Sequence, residues 1–255
     1  MNEGIACVGN ITKDTLFYVD TLPAVDDVST VREKRICFGG RGLIVAAILS
    51  TLCSPTSLFT SIPGGENNDL KSFLKNYNLN DLSIFIDERS NNYNEVLVTI
   101  GKTEENCTSL FIPGDSSSDP SSEQLSQLSN YRLLYFTSHD LKSSIRYLET
   151  SLKMSCKKIV NISSYMIKSK SYLELIKKQA DVLIGNEIEF DNLQRVLGCE
   201  SISSIYKYFN RLKKLFMTRG KKGVHCRLKN CHRIEFPALR VDIQTPVGVG
   251  DSQYH

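Results

Sequence analysis

Near its end the chain carries the stretch Val247-Gly248-Val249-Gly250-Asp251-Ser252. Two glycines that flank a small residue and precede a carboxylate suit a tight loop opening into a helix. Backbone N–H groups at such a helix start have no partner within the helix and lie at its positive end, so they can bind a phosphate. Asp251 would then stand close enough to take a proton from an attacking hydroxyl. Alone, the same residues also fit an ordinary turn capped by an Asp, so the remainder of the chain has to decide.

The composition indicates one globular protein. The 255 residues, 41% of them hydrophobic, can bury the core of an α/β domain, and no run approaches the ~18 consecutive apolar residues of a membrane span. The start lacks the basic and long apolar segments of a secretory signal, so we expect a cytoplasmic protein without a membrane partner. Eight scattered cysteines fit reduced thiols better than a disulfide framework. A net charge of +3 gives no electrostatic basis for binding nucleic acid.

Apolar strand patterns and helical patterns alternate along the chain. We predict strands at 5–9, 57–62, 133–136, 158–162, 182–184 and 215–217, and helices at 43–52, 70–77, 123–128, 143–153 and 171–179. This alternation predicts an α/β fold with a doubly wound, mostly parallel sheet and helices on both faces.

Four further strand patterns suggest a small additional sheet. Segments 15–18 and 28–38 can pair with a hairpin at 93–101 and 108–112, and together they can form a lid that excludes water from the mouth of the main sheet. No internal repeat or linker interrupts the chain, so we expect a single domain over 1–255 with lid strands from about 12–38 and 93–113.

Polar residues follow the first strand and precede the first helix. Asp14 is expected in a polar loop past the carboxyl end of the first strand, where open α/β sheets bind ligands, so it can hold a hydroxyl. A turn Asp fits equally well. Gly39-Gly40-Arg41-Gly42 opens the 43–52 helix and can form a corner that binds an anion or a hydroxyl, or the glycines can simply leave space for close packing.

Two other strand ends carry candidate residues. Asn186 and Glu189, three apart at a helix start, can share one face and hold water or a metal–phosphate cluster, although Glu189 can equally be a capping residue. In Thr218-Arg219-Gly220-Lys221-Lys222-Gly223, Gly220 and Gly223 let the backbone approach a nucleotide, although a plain glycine turn is the alternative.

Two Cys-His pairs invite a zinc interpretation. A hairpin turn at 228–229 would pair Cys226 with Cys231 and His225 with His232 across two strands. The thiols and the imidazoles would then point to opposite faces, whereas a tetrahedral zinc site needs all four on one side. We therefore expect a plain hairpin without metal.

Together these segments resemble the ribokinase-like, or PfkB, family of sugar and nucleoside kinases over essentially the whole chain. Neither a Walker-type nor a Rossmann glycine motif is present, which counts against other nucleotide folds. Five motifs occur in the family's order: Gly9-Asn10-Ile11-Thr12-Lys13-Asp14, Gly39-Gly40-Arg41-Gly42, Asn186-Glu187-Ile188-Glu189, Thr218-Arg219-Gly220-Lys221-Lys222-Gly223 and Gly248-Val249-Gly250-Asp251.

The resemblance implies ATP-dependent phosphorylation of a hydroxyl on a small sugar or nucleoside, with Mg²⁺, and makes the lid a candidate surface for a homodimer. It also implies a role for each matched position. Asp251 is the catalytic base; Gly248, Val249 and Gly250 form the anion hole; Asp14, Gly40, Arg41 and Gly42 line the substrate side; Asn186, Thr218, Gly220 and Gly223 bind the nucleotide; Glu189 holds Mg²⁺ through water.

Three departures from the family pattern qualify these expectations. Ile44 stands where the family usually offers an Asn to the sugar, and Val247 replaces a polar residue before the anion hole. The chain stops at His255, four residues after Asp251, whereas the resemblance implies several more elements. We therefore expect this 255-residue chain to fold its sheet but to bind ATP poorly and to show little or no kinase activity. A catalytically impaired kinase that acts as a binding or regulatory protein is an alternative of another class.

A nucleoside kinase is the alternative within the family. Val160-Asn161-Ile162-Ser163 is similar to the Asn-Leu-Ser strand end of adenosine kinases. An aromatic stacking pair in the lid would favour a nucleoside, whereas a ring of carboxylates and amides would favour a sugar.

Overall fold

The structure, a computed structural model, describes residues 2–52, 55–65, 67–76, 79, 84–87, 92–102, 107–114, 119–137, 140–229 and 233–239. The strands are β1 (Asn2–Val8), β2 (Thr12–Val19), β3 (Val31–Gly39), β4 (Thr56–Pro63), β5 (Ile84–Asp87), β6 (Asn94–Ile100), β7 (Cys107–Ile112), β8 (Tyr131–Phe136), β9 (Lys157–Asn161), β10 (Val182–Asn186), β11 (Lys214–Thr218), β12 (Val224–Leu228) and β13 (Arg233–Phe236). The α-helices are α1 (Arg41–Thr51), α2 (Asn68–Asn76), α3 (Ser122–Gln127), α4 (Leu141–Ser151), α5 (Lys170–Gln179) and α6 (Glu187–Leu197).

In the described part of the chain, nine strands form the main sheet in the order β13-β12-β11-β10-β9-β8-β1-β4-β5. Every neighbouring pair from β11 to β5 is parallel, and β12 and β13 extend the sheet as an antiparallel hairpin. The chain builds outward from β1 to β4 and β5 on one side, then returns to β8 on the other. The strand order therefore reverses beside β1, where the carboxyl ends of the strands leave a crevice for ligands.

Helices cover both faces of this sheet, and the strands supply apolar side chains to each. Ala6 and Val8 of β1 belong to the core beneath α4, α5 and α6, whereas Ile5 and Cys7 belong to the core beneath α1 and α2. Strands buried on both faces carry mostly apolar side chains, which is why the sequence showed nearly continuous apolar runs. The predicted doubly wound, mostly parallel α/β fold is confirmed.

A second sheet has the order β3-β2-β6-β7. β2 pairs parallel with β6, while β3 and β7 pair antiparallel at the two sides. Leu16, Val98 and Ile100 form a small apolar cluster within this sheet. Most of β3 and all of β7 are exposed.

The start of β2 differs from the prediction. β2 begins at Thr12, so Asp14 lies inside a strand and is buried, not in an exposed loop. Its alternating pattern buries Thr12, Asp14 and Leu16 on one face. Because the first two of these are polar, the strand pattern became visible only further along the chain. Residues 28–30 also precede β3, and β5 was not predicted.

The hairpin of β12 and β13 is present, but its predicted register is wrong. Cys226 lies opposite Ile234 and His225 opposite Glu235, not opposite Cys231 and His232, which lie outside the described residues. The connection is therefore longer than a two-residue turn. The observed register sets the thiol against an apolar side chain and His225 within 3.3 Å of the Glu235 carboxylate, and both pairs favour it.

No helix in the described ranges combines the length and the apolar character that crossing a membrane requires.

Candidate active site

Asp14 provides a deeply placed carboxylate on β2. Its side chain is 4% exposed, and Thr12 Oγ1 donates a hydrogen bond of 2.5 Å to its Oδ1. Burial raises the pKa of the Asp14 carboxyl above its usual range, and the hydrogen bond from Thr12 partly lowers it. Gly39 on β3 makes room for this carboxylate, since a Cβ there would lie 2.0 Å from Asp14 Oδ2. A buried carboxylate with further acceptor capacity is suited to hydroxyl groups.

The glycines on either side of Arg41 let the start of α1 pack closely against the loop after β1. Gly40 has a φ of +97°, and a Cβ there would lie 2.6 Å from the Asn10 carbonyl oxygen. A Cβ on Gly42 would lie 2.6 Å from the carbonyl carbon of Gly9. Close packing therefore explains both glycines, and the same packing brings the two loops to one corner of the crevice.

Arg41, the first residue of α1, reaches across this corner to the ends of two other strands. Its Nη1 donates to Glu189 Oε1 at 3.0 Å, to Asn161 Oδ1 at 3.3 Å and to the Ile162 carbonyl at 3.4 Å. Asn161 in turn donates from Nδ2 to the Tyr135 hydroxyl at 3.1 Å. A polar network therefore links β8, β9, α1 and α6 at the carboxyl edge of the sheet.

Asn186 and Glu189 form a capping box at the start of α6. Asn186 Oδ1 accepts from the Glu189 N–H at 2.8 Å, and Glu189 Oε2 accepts from the Asn186 N–H at 2.9 Å. The capping interpretation is therefore correct for these two residues. It leaves Glu189 Oε1 facing Arg41, with both the amide and the carboxylate fixed at the edge of the sheet.

The loop after β11 lies directly beside this helix start, because Thr218 is the parallel partner of Asn186. The Arg219 N–H donates to the Gly223 carbonyl at 2.8 Å and closes the loop. Gly220 has a φ of +54° and open space where a Cβ would stand. Gly223, with a φ of +82°, packs so closely that a Cβ would lie 2.0 Å from the Phe236 carbonyl oxygen. Gly220 thus faces space that a ligand can use, whereas Gly223 is needed for the turn itself.

The predicted catalytic base and anion hole, Asp251 with Gly248, Val249 and Gly250, lie outside the described residues. Their roles stay predictions. Thr12, Gly39 and Asn161 were named from the sequence only as members of motifs, and the structure gives each a contact at the site; Tyr135 was not named from the sequence at all. Thr12 and Asn161 had a usable signal, since Thr12 is two residues from Asp14 on the same strand face and Asn161 ends a buried strand.

Comparison with known proteins identifies the fold and the family. Among solved structures, an archaeal nucleoside kinase from Methanocaldococcus jannaschii, described as a member of the ribokinase family, has a TM-score of 0.77 and 20% identity, over 98% of this chain and 81% of that one. The Burkholderia thailandensis nucleoside kinase in complex with inosine has a TM-score of 0.78 and 16% identity, over 97% and 80%. Arabidopsis thaliana ribokinase complexed with ribose and ATP has a TM-score of 0.74 and 15% identity, over 98% and 83%.

At these identities the solved structures establish the fold, and the family model establishes membership. The model described as pfkB family carbohydrate kinase matches residues 2–253. The chain belongs to the pfkB family. A search of curated proteins found no significant match.

Membership confirms the resemblance drawn from the five motifs. PfkB-family proteins are ATP-dependent phosphotransferases, so this kinase uses ATP and transfers a phosphoryl group to a hydroxyl of a small molecule. The candidate active site of this pfkB-family kinase therefore lies where Asp14 of β2, Arg41 of α1 and the strand ends at Asn186 and Thr218 stand.

Proposed function

We propose that this pfkB-family kinase phosphorylates a sugar that binds between Asp14 and the start of α1. We also propose that Mg²⁺·ATP binds at the start of α6 and at the neighbouring loop that follows β11. The observation that carries the proposal is the contact between Arg41 and Glu189. It sets the expected sugar side directly beside the expected metal and nucleotide side. Phosphoryl transfer requires this adjacency, because donor and acceptor must meet in line.

Asp14 binds the sugar in this proposal. Its buried carboxylate accepts hydrogen bonds from sugar hydroxyls, while Thr12 fixes its orientation. Gly40 and Gly42 form the opposite wall of the same corner, where both pack against the backbone of the loop after β1. Half-buried Ile44 adds an apolar contact one turn into α1. A sugar with few hydroxyls near that wall fits best, because an unpaired buried hydroxyl is costly.

Thr218, Gly220, Gly223 and Asn186 bind the nucleotide in this proposal. Mg²⁺ fits this corner, because an amide and a carboxylate supply hard oxygen donors and Mg²⁺ usually keeps several waters. Glu189, whose two oxygens already accept hydrogen bonds, acts through such a water. When bound, the metal neutralises charge on the transferred phosphoryl group.

Asp251 removes the proton from the attacking hydroxyl, and the N–H groups of Gly248, Val249 and Gly250 stabilise the developing negative charge. These roles rest on the match to the family motif Gly-Ala-Gly-Asp. A base placed within hydrogen-bond reach contributes about 10²–10⁴-fold to such a step, and oriented N–H donors contribute a comparable factor.

The second sheet acts as a lid on a single catalytic domain. Two observations support this role. Asp14 belongs to β2 of that sheet, so closure carries the carboxylate toward the main sheet. The sheet also has its own apolar cluster around Leu16, Val98 and Ile100, which lets it move as a unit. Closure then excludes water from the transfer step.

A nucleoside is the second candidate acceptor. Phe38 of β3 and Tyr93, which precedes β6, have ring centroids 5.9 Å apart at the root of the lid. These rings are tilted by 60°, and Phe38 also contacts Phe73 of α2 at 6.3 Å. This packing favours a supporting role for the rings over a sandwich around a base, and the sugar therefore remains the leading acceptor.

The outer strands of the lid offer a surface for a homodimer. Ile36 on β3 and Leu110 and Phe111 on β7 are 57%, 68% and 58% exposed. Two copies that pair through these apolar side chains would cover them. Light scattering at increasing concentration tests this proposal, and Leu110→Lys, which makes pairing unfavourable, should keep the protein monomeric.

A phosphoryl-transfer screen with two matched variants tests the proposed function. ATP consumption is measured over a panel of pentoses, hexoses and nucleosides, and the best acceptor is then used for both variants. Asp251→Asn should lower kcat by about 10²–10⁴-fold with little change in KM for the acceptor. Asp14→Asn should instead raise that KM, because it weakens ground-state binding. Near-native turnover by Asp251→Asn would contradict its assignment as the base, and a nucleoside as the best acceptor would replace the sugar.

A further inference from the structure

Two arginine–carboxylate pairs stand at opposite ends of β10, and only one belongs to the candidate active site. Arg211 contacts Asp181 just before the strand, with Nη2 3.1 Å from Oδ2. Arg41 contacts Glu189 just after it, with Nη1 3.0 Å from Oε1. The side-chain exposures are similar, 38% and 4% for the first pair and 35% and 9% for the second. The structure thus contains a matched internal control for the Arg41 pair.

Arg41 donates to the Glu189 carboxylate oxygen that takes no part in the helix cap. Glu189 Oε2 accepts from the backbone of Asn186, and Oε1 accepts from Arg41. The guanidinium is further held by Asn161 Oδ1 and the Ile162 carbonyl. A positive charge is therefore fixed against the carboxylate that the proposed function assigns to a metal-bound water.

A fixed cation and a divalent metal ion at one carboxylate oppose each other. The guanidinium cancels much of the field of the Glu189 carboxylate, and this weakens the attraction of that carboxylate for Mg²⁺. Arg41 is also more than half shielded from solvent, so this interaction is screened less than one between fully exposed charges. Removing the charge should thus strengthen metal binding.

We infer that Arg41 is a positioning residue that acts through Glu189, holding the carboxylate in the metal-free state and competing with Mg²⁺ for it. This inference rests on the proposed role of Glu189 toward Mg²⁺. Arg41 is also the first residue of α1 and therefore stands beside the glycines of the sugar corner.

The test measures Mg²⁺-dependent binding of ADP by calorimetry, without any turnover. Titrations over a series of Mg²⁺ concentrations give the concentration at which ADP binding is half-enhanced. Arg41→Gln should lower this concentration by about three- to tenfold, since a unit charge within hydrogen-bond distance of the carboxylate is removed. Arg41→Lys keeps the charge and should stay within about twofold of the native value.

The control variants separate the inference from the proposed function. Glu189→Gln should raise the half-enhancing Mg²⁺ concentration, and adding Arg41→Gln to it should have no further effect, because the two act through one carboxylate. Arg211→Gln removes the matched arginine and should lower the urea midpoint without changing the Mg²⁺ dependence. Arg41→Met is a second neutral variant that keeps the apolar stem should Arg41→Gln fold poorly.

Each outcome decides one of the two statements. An unchanged or raised Mg²⁺ requirement in both neutral Arg41 variants, with Glu189→Gln still impaired, overturns the inference and leaves the proposed role of Glu189 intact. A raised requirement together with weaker Mg²⁺·ADP binding makes Arg41 a phosphate ligand instead. An unchanged requirement in Glu189→Gln refutes the metal role of Glu189 and the inference with it.

Discussion

Replacing Gly39 by alanine should displace the Asp14 carboxylate through one methyl group. The new Cβ would lie 2.0 Å from Asp14 Oδ2 and 2.7 Å from its Cγ, whereas ordinary van der Waals contact begins near 3.4 Å. Gly39 does not have a positive φ, so its backbone accepts alanine without strain. The carboxylate must therefore move, and the 2.5 Å hydrogen bond from Thr12 to Asp14 Oδ1 is lost or distorted.

The size of the effect follows from that hydrogen bond. A hydrogen bond to a charged group contributes about 1.5–3 kcal/mol, so Gly39→Ala should lower the free energy of unfolding by about that amount. Displacing the carboxylate should weaken acceptor binding by a similar free energy, which corresponds to about 10–150-fold in KM. Urea unfolding and acceptor titration in the phosphoryl-transfer assay measure the two effects separately.

A double-mutant cycle with Asp14→Ala checks that the methyl group acts through the carboxylate. Without that carboxylate the alanine methyl has space, so Gly39→Ala should cost little further stability in the Asp14→Ala background. Gly198→Ala serves as a matched control, because Gly198 ends α6 with a φ of +66° far from the site. It should lose about 1 kcal/mol of stability with native KM. Native KM and stability in Gly39→Ala would refute the reasoning.

Three further changes have defined outcomes. Ile44→Asn should lower KM for a pentose or hexose by about tenfold, because the new amide can form a hydrogen bond with a sugar hydroxyl. Ile48→Asn, one turn further along α1, should leave KM unchanged. Equal effects of the two substitutions would contradict a role for Ile44 at the sugar. Burial raises the pKa of Asp14, so the ionised carboxylate destabilises the folded state at neutral pH, and this cost falls as the pH drops through that pKa. Asp14→Asn should therefore raise the urea midpoint at pH 7 and lose this gain in stability near pH 4. A lowered urea midpoint at pH 7 would contradict the argument. Burial also lowers the pKa of fully buried Lys158, whose Nζ donates to the Met154 carbonyl at 2.8 Å. Lys158→Met should therefore be more stable at pH 7, and the gain in stability should shrink as the pH rises toward 10. A gain that does not depend on pH would contradict the argument.

Much of the fold was predictable because its information is local. The central parallel strands contain runs of apolar residues, and such a run predicts a strand that is buried on both faces. The helices alternate with them at helical spacing, so the class and layering followed directly. β5 was not predicted because it spans only Ile84–Asp87 at the edge of the sheet. Four residues are too few for a period to be recognised.

The residues of the candidate site could be named from the sequence, and their roles stay predictions, but the contacts among them could not be predicted. Asp14, Gly40, Asn186 and Thr218 were all recognised, since each follows or precedes a strand end. The contact of Arg41 with Glu189 joins residues far apart in the chain, and no local pattern encodes it. The register of the β12–β13 hairpin failed for a related reason: it depends on the length of the connection, and the alternation of side chains alone does not fix that length.

The parallel pairing of β2 with β6 has a consequence for how the chain folds. These strands are separated along the chain by β3, α1, β4, α2 and β5, so they meet only after a large loop has closed. Contacts of such high sequence separation form slowly, because the entropy of closure precedes any gain from pairing. The β1–β8 pairing of the main sheet closes an even larger loop, so neither sheet can form from local contacts alone. We expect amide exchange to reach the exposed outer strands β3 and β7 before it reaches the largely buried strands β8 and β9.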